Sequence, residues 1–369
     1  MQTIGHPGGA RAPGRVSALL LCAVALACLL GGGAGVARAQ DQSPLDTVIQ
    51  GSTATAKAAT ATTSSVSTYP VAGGQSVRVD VDPAYAGTDA LTRVLGTLGA
   101  TVHGDEMNKL TVHIADADNL NRLCGQNSTA CYFPSSMTMV VSGNPVNPNN
   151  QMPQGMVITH EYGHHIEANR SYAGWNASNL GARHWATYEH VCEGVAAGQL
   201  YPGDEGLHYW ENPGEAFAQA YATMLYPNGA PWWWSFAEPD QGAFDAIRAD
   251  VADTSKGNKV TWSQTLNGAT PTATSSFNTN LDGPISVNLR QPRKGRFSVT
   301  LLSPGGNVLS HGITTQSWKG KRSKKGKKAN STSESELDYS SCGSGSRSFT
   351  VQVSRISGRG KFTAEILRP

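Results

Sequence analysis

Alternating hydrophobic and polar residues mark several short segments in the first half of the chain. The valines of residues 77–81 alternate with polar residues, and a similar two-residue period recurs at 110–114 and 137–141. Each run predicts a short strand with one buried face, because successive side chains of a strand point to opposite sides. Between the first two runs, the apolar residues of 91–98 have helical spacing, and Thr88 can cap such a helix. The pattern predicts an α+β lobe.

A second pattern begins near Thr265, where a stretch rich in Thr, Ser, Asn and Gly marks a boundary. Beyond it, the hydrophobic residues of 297–301, 349–353 and 362–366 alternate with polar ones. The last two runs are separated by the glycine-containing segment 357–360, which predicts a hairpin. We therefore expect two domains, an α+β domain over 71–264 and an all-β domain over 265–369.

The segment that leads out of the α+β lobe combines a helical period with polar chemistry. Residues 157–167 read Val-Ile-Thr-His-Glu-Tyr-Gly-His-His-Ile-Glu, with apolar side chains at 158, 162 and 166 along one face of a helix. Gly163 costs about 1 kcal/mol in a helix interior, so its presence predicts the close approach of another element.

Two histidines of this helix have the spacing of metal ligands. His160 and His164 lie one turn apart, so their imidazoles can converge on one Zn²⁺ ion about 2 Å from each. Glu161 lies roughly 100° further round the helix, where a carboxylate can accept a proton from water beside the metal. The pattern predicts a zinc site with Glu161 as general base.

The sequence leaves the third ligand open among several carboxylates. The longer motif His-Glu-x-x-His-x-x-Gly-x-x-His supplies a third histidine ligand, but this chain does not contain it. The motif requires glycine where the chain has Glu167 and histidine where it has Arg170. Glu215 opens an alanine-rich segment that can lie close to another helix, and Pro213 suits the first turn of that segment. On chemistry alone the candidates are Glu189, Glu193, Glu205, Glu211 and Glu215.

The two segments together resemble a known enzyme class. His160-Glu161-x-x-His164 is followed about fifty residues later by Asn-Pro-x-Glu215-x-Phe-Ala, which is similar to the gluzincin zinc metallopeptidases. The resemblance implies a zincin-like fold and a hydrolase that cleaves peptide bonds. By the same resemblance, His160, His164 and Glu215 are the metal ligands and Glu161 is the catalytic base, with Glu189 and Glu193 as alternative ligands.

The resemblance also implies a donor for the oxyanion that forms during peptide hydrolysis. Related zinc peptidases commonly use a tyrosine or a histidine, and His208 and Tyr209 are the candidates here, with Tyr201 behind them. The segment 231–236 contains three adjacent tryptophans, which cannot all face one core. At least one is expected to be exposed, where it can line a substrate cleft, unless the run caps the helical lobe.

The N-terminus predicts export. In residues 1–39, two arginines precede an apolar run at 18–30 and an Ala-Arg-Ala cleavage site, as in a signal peptide. Its removal takes three of the 29 basic residues and no acidic residue, leaving 26 against 27 acids and a net charge of −1. Residues 40–70, rich in Ala, Thr and Ser, are expected to form a flexible tether or a short pro-segment. We predict a secreted, extracellular and bacterial protein without a transmembrane segment.

Four cysteines remain after the signal peptide, an even number that suits two disulfides in an oxidising compartment. Cys124 and Cys131 can close a small polar loop. Cys192 and Cys342 then pair by elimination, which links regions assigned to different domains.

The all-β region resembles the small pre-peptidase C-terminal β-sandwich of many secreted bacterial peptidases, which implies attachment to a substrate or surface. Within it, residues 319–328 carry seven positive charges in ten positions. This run predicts a solvated loop, or alternatively a contact with anionic polymers. No aromatic residues interleave with the charges, so specific nucleic-acid binding is not expected.

Two other functions are compatible with these motifs. One is a catalytically inactive, secreted binding or adhesion protein on a zincin scaffold. The other is a zinc amidase acting on cell-wall peptides, which shares the metal site and differs only in its substrate.

Overall fold

The computed structural model describes residues 65–146, 152–292, 295–316, 333–343 and 345–369. The predicted signal peptide at 1–39, residues 40–64 of the predicted tether and the lysine-rich run at 319–328 lie outside the described residues. The end of the tether prediction is wrong, because Ser67–Pro70 forms an edge strand of the first sheet. Within the described ranges the fold is mixed α+β, as predicted. No helix there combines the length and the hydrophobicity that a membrane crossing requires.

The N-terminal region forms a five-stranded sheet with the strand order β1-β2-β3-β5-β4. The strands β2, β3 and β5 are parallel, whereas β1 and β4 are antiparallel to their neighbours at the two edges. The three predicted strands and the predicted helix are confirmed as β2, β3, β5 and α1. The N-cap residue of α1 is Asp89 rather than the predicted Thr88, whose hydroxyl nevertheless accepts a hydrogen bond from the Ala90 amide. The elements are β1 (Ser67–Pro70), β2 (Ser76–Val81), α1 (Ala90–Ala100), β3 (Thr111–Ala115), α2 (Ala117–Cys124), β4 (Ala130–Phe133) and β5 (Thr138–Ser142).

Within the described residues, six helices follow the sheet, and the first of them is the centre of the core. This helix, α3, contains the predicted metal motif and has 15 of its 17 residues buried. It packs against α1, α7 and the strands β4 and β5, so its polar side chains are enclosed by other elements rather than by solvent. The helices are α3 (Gln154–Arg170), α4 (Ala177–Leu180), α5 (Arg183–Tyr188), α6 (Val191–Ala196), α7 (Pro213–Leu225) and α8 (Gln241–Ala252).

A buried polar network fixes the C-terminal end of α3. Arg170 donates to Glu106 Oε2 at 3.0 Å and to the Val251 carbonyl at 2.6 Å, and the Tyr162 hydroxyl donates to Glu106 Oε1 at 3.0 Å. Burial alone would raise the pKa of Glu106, but hydrogen bonds from backbone amides, first that of Gly104, and the charge of Arg170 bring this pKa below its ordinary value. Because the buried charges are paired and hydrogen-bonded, they prevent α3 from rotating about its axis.

The C-terminal region consists of two antiparallel sheets whose buried side chains form one hydrophobic cluster. Their strand orders are β10-β9-β13-β7 and β11-β12-β8-β14-β6. The edge strand β6 begins at Asn258, before the expected boundary at Thr265. Val260, Trp262 and Leu266 share one face of this strand, although most of its residues are exposed. The strands are β6 (Asn258–Leu266), β7 (Thr272–Thr279), β8 (Gly283–Gln291), β9 (Gly295–Leu302), β10 (Val308–His311), β11 (Ile313–Gln316), β12 (Ser333–Ser341), β13 (Arg347–Gly358) and β14 (Gly360–Arg368).

The predicted hairpin at the end of the chain is wrong, although both of its strands exist. β13 pairs with β7 and β9, whereas β14 pairs with β6 and β8 in the other sheet. The chain passes between the sheets at Arg359, flanked by Gly358 and Gly360 with φ of +68° and +152°. Glycine accepts these positive angles without steric cost.

Both predicted disulfides are formed. Cys124 and Cys131 join α2 to β4, and Cys192 of α6 joins Cys342 after β12. Beside the second bridge, the buried Asp282 accepts hydrogen bonds from the Gly343 amide and from Arg347, each at 3.0 Å. The Asp282 amide in turn donates to the Thr187 hydroxyl of α5 at 2.8 Å, so a disulfide and a hydrogen bond connect the helical region to the C-terminal sheets.

Candidate metal centre

The site begins with the close packing of α3 on α7. A Cβ atom added at Gly163 would lie 2.7 Å from the Ala218 Cα atom, so the predicted close approach at this glycine is confirmed. The cap residue Asn212 accepts the Gly214 amide at 3.2 Å and fixes the start of α7. The first turn of α7 consequently places Glu215 beside the histidines of α3.

Three side chains converge between these helices. The Glu215 oxygens lie 3.4 Å from His160 Nε2 and 3.4 Å from His164 Nε2. The two imidazole rings are nearly perpendicular, at an angle of 83°, with their centroids 5.0 Å apart. One ligand atom from each residue falls within 4.8 Å of the others, so His160, His164 and Glu215 can hold a metal ion.

The remaining nitrogen of each histidine faces an acceptor. His160 Nδ1 lies 3.2 Å from Gln219 Oε1, and His164 Nδ1 lies 2.8 Å from Glu167 Oε2. With the proton on Nδ1, each ring directs the lone pair of Nε2 towards the centre, as in the outer shells of histidine metal sites. This donor set of two neutral imidazoles and a carboxylate fits a zinc ion.

Glu167 is fully buried next to a ligand. Burial raises its pKa to about 8, while the hydrogen bond with His164 and the charge of that ring act in the opposite direction. A cation at the centre would add a further positive charge that favours the carboxylate form. The side chain of Glu167 is thus suited to an occupied metal centre.

Glu161 follows His160 on α3 and is itself fully buried. The exposed fractions of the His160, His164 and Glu215 side chains are each 1%. The motif therefore lies in the interior of the helical region, where electrostatic interactions are stronger than in water.

The structure separates the two oxyanion candidates. The buried Tyr209 hydroxyl donates to Glu215 Oε2 at 2.7 Å. The His208 ring instead stacks on Tyr201, with centroids 3.7 Å apart, and about a third of the His208 side chain is exposed. Tyr209 thus contacts the triad, whereas His208 lies at the surface.

Tyr209 also belongs to an aromatic cluster, defined here as Tyr209, Trp210, Trp232, Trp233 and Trp234. Ring centroids lie 4.9 Å apart for Tyr209 and Trp210, and 5.2 Å apart for Trp210 and Trp234. Trp234 is buried, whereas Trp232 and Trp233 are half-buried. The tryptophan run thus caps the helical region and leaves part of two indoles accessible beside the candidate centre.

The other candidate glutamates have different partners. Glu193 lies 3.4 Å from His190, Glu205 accepts a hydrogen bond from Asn212, and Glu211 lies 3.9 Å from His208. Glu189 is the C-cap residue of α5, and burial raises its pKa to about 7. None of these four is among the residues that the described structure groups as a metal site.

No protein-family model matches this chain, and no curated protein matches it at a significant level. The candidate centre therefore rests on its own geometry.

Proposed function

We propose that this protein is a secreted, zinc-dependent endopeptidase with a zincin-like catalytic domain. The observation that carries the proposal is the buried group of His160, His164 and Glu215, with Glu161 directly after the first histidine. Zinc fits a site with two imidazoles and one carboxylate, because such catalytic sites keep a fourth position for water or substrate.

Each side chain then has a defined role. Two histidines and Glu215 hold the ion, which when bound supplies Lewis acidity for activating water and polarising the scissile carbonyl. Glu161 accepts a proton from the attacking water and delivers it to the leaving amine. Gln219 and Glu167 hold the histidine rings in the orientation that the ion requires.

The C-terminal sheets have a supporting role in this proposal. Their single shared core suits a β-sandwich that attaches the enzyme to its protein substrate or to a cell surface. The signal peptide at 1–39 and the two disulfides agree with an extracellular location.

Peptide hydrolysis by the full secreted chain tests the proposal, with bound zinc measured in every sample. We expect the unmodified protein to cleave casein, to lose activity when its metal is chelated and to regain it with Zn²⁺. Glu161→Gln should retain zinc and lose activity by about 10²- to 10⁴-fold, the usual contribution of a general base. Glu189→Gln, which changes a carboxyl group outside the triad, should remain active.

A second candidate is supported by the enclosure of the site. With exposed fractions of 0–1% for Glu161 and the three ligands, the group also suits a structural metal in a binding or adhesion protein. If the unmodified protein binds zinc and cleaves neither casein nor cell-wall peptides, this second function replaces the first. Cleavage of cell-wall peptides alone would identify the amidase.

A further inference from the structure

We infer that Tyr209 is a positioning residue for the metal centre, acting through Glu215 to hold its carboxylate in the orientation that the ion requires. The inference rests on the zinc site of the proposed function. It assigns Tyr209 a role different from that of an oxyanion donor, and it makes the aromatic cluster part of the support of the centre.

The hydrogen bond itself is the first observation. The Tyr209 hydroxyl donates to Glu215 Oε2 at 2.7 Å, and both side chains are buried. A hydrogen bond to a carboxylate is roughly twice as strong as one between neutral groups. It occupies one lone pair of Oε2 and so restricts the rotation of a carboxylate whose Oε2 lies 3.4 Å from His160 Nε2 and whose Oε1 lies 3.4 Å from His164 Nε2.

The second observation is that two tryptophans pack against the Tyr209 ring. It meets Trp210 edge-on at 4.9 Å between centroids and lies 6.2 Å from the centroid of Trp234. Such packing removes the rotational freedom of the side chain before a metal binds. The Tyr209 hydroxyl is therefore already in position to bind Glu215 before a metal ion arrives.

The third observation is that the ligand and its partner share one short segment. Tyr209 begins a 3₁₀ turn, Tyr209–Glu211, that leads directly into α7. Asn212, between them, accepts hydrogen bonds from the Gly203 amide at 3.0 Å and from the Gly214 amide at 3.2 Å. The loop before α7 and the first turn of α7 consequently hold the hydroxyl and the carboxylate at a constant separation.

The two possible roles of Tyr209 predict different measurements. An oxyanion donor acts on the developing charge of the substrate, so its loss lowers kcat and leaves metal affinity unchanged. A positioning residue acts on the ligand, so its loss weakens metal binding even without substrate.

The test compares Tyr209→Phe with Tyr201→Phe. Zinc affinity is measured by competition with a chromophoric chelator, and the absorption spectrum is recorded for the cobalt-substituted proteins. Tyr209→Phe keeps the ring and removes only the hydroxyl, and we expect zinc to bind about 10- to 100-fold more weakly, with a changed cobalt spectrum. Tyr201→Phe is the matched control, because this exposed ring stacks on His208 in the same loop. It should bind zinc as tightly as the unmodified protein and give the same cobalt spectrum.

Unchanged zinc affinity and an unchanged cobalt spectrum in Tyr209→Phe would overturn the inference. If that variant does not fold, Trp210→Leu takes its place, because it keeps the Tyr209 hydroxyl and removes the indole that packs against the Tyr209 ring. Unchanged metal binding in Trp210→Leu would also overturn the inference. If the unmodified protein binds no zinc, the inference and the proposed function fail together. If it binds zinc without cleaving peptides, only the proposed function fails, because this test needs no turnover.

Discussion

At the scale of single residues, the centre depends on an absent side chain as much as on those present. Gly163 lies on α3 between the two histidines, and Ala218 of α7 occupies the space that a Cβ atom would need. The two small residues let the helices approach closely enough for Glu215 to reach the imidazoles. The close packing of α3 on α7 is therefore required for the three side chains to converge.

Replacing Gly163 with alanine should separate these helices. We expect Gly163→Ala to lower the free energy of unfolding by about 1–3 kcal/mol, as overpacked core sites do, and to weaken zinc binding. Gly96→Ala is the control, because this exposed glycine of α1 has no atom within 4 Å of the added Cβ position; it should stabilise the protein by about 0.5–1 kcal/mol. Chemical denaturation of both variants measures the effects, and an unaffected Gly163→Ala would contradict the packing argument.

The three residues of the candidate metal group could be predicted from the sequence, but most of their partners could not. His160 and His164 have a spacing that few other functions require. Gln219 lies one turn after Glu215, so a search along that helix face could have found it. Tyr209 was predicted as a catalytic donor because sequence spacing cannot show that its hydroxyl meets the carboxylate of Glu215.

At the scale of elements, α5 is capped by a residue from a distant helix. Its own cap position, Ala182, has no side-chain acceptor. Instead, the Asp250 carboxylate of α8 accepts the His184 and Trp185 amides at 2.8 and 2.9 Å. Since Arg170 of α3 donates to the Asp250 carbonyl at 2.6 Å, α8 holds both α5 and the metal-motif helix.

This cap predicts a pH dependence of stability. Burial raises the pKa of Asp250 to about 6, against the opposing effects of the His184 charge and the two amides. The folded state therefore binds this proton more tightly than the unfolded state, whose pKa is near 3.8. The contribution of Asp250 to the free energy of unfolding should fall by up to about 3 kcal/mol as pH rises from about 4 to 7.

Denaturation of the unmodified protein and of Asp250→Asn across that pH range isolates the contribution. The difference between the two proteins should change with pH in this direction. Parallel pH profiles would show that Asp250 keeps an ordinary pKa.

The strand predictions show what an element's own sequence can specify. Phe349, Val351 and Val353 alternate correctly for β13, and Phe362, Ala364 and Ile366 do so for β14. Period-two alternation identifies a buried face but not the neighbouring strand. The pairing of β13 with β9 and of β14 with β6 depends on residues far away in the chain, so the local pattern incorrectly indicated a hairpin.

At the scale of the whole molecule, the two disulfides constrain very different lengths of chain. Cys124 and Cys131 are 7 residues apart, whereas Cys192 and Cys342 are 150 apart. The loop-entropy model assigns a stabilisation of about 2.5 kcal/mol to the short loop and about 5 kcal/mol to the long one.

Removing each bridge separately tests this difference. We expect the Cys192→Ser/Cys342→Ser variant to lose more unfolding free energy than the Cys124→Ser/Cys131→Ser variant, and to become more sensitive to proteolysis between the helical region and the C-terminal sheets. Denaturant titration and limited proteolysis of both variants provide the measurements. Equal losses would show that native packing, rather than loop length, determines the contribution of each bridge.

The long disulfide has a further consequence for cleavage by other proteases. The covalent ring that it closes contains Glu215 and also the lysine-rich run at 319–328, an obvious sequence for trypsin-like enzymes. A cut in that run opens the ring but releases no fragment, because both new pieces stay joined at Cys192 and Cys342. The helical region and the C-terminal sheets would therefore remain one covalent molecule until a reductant breaks the bridge.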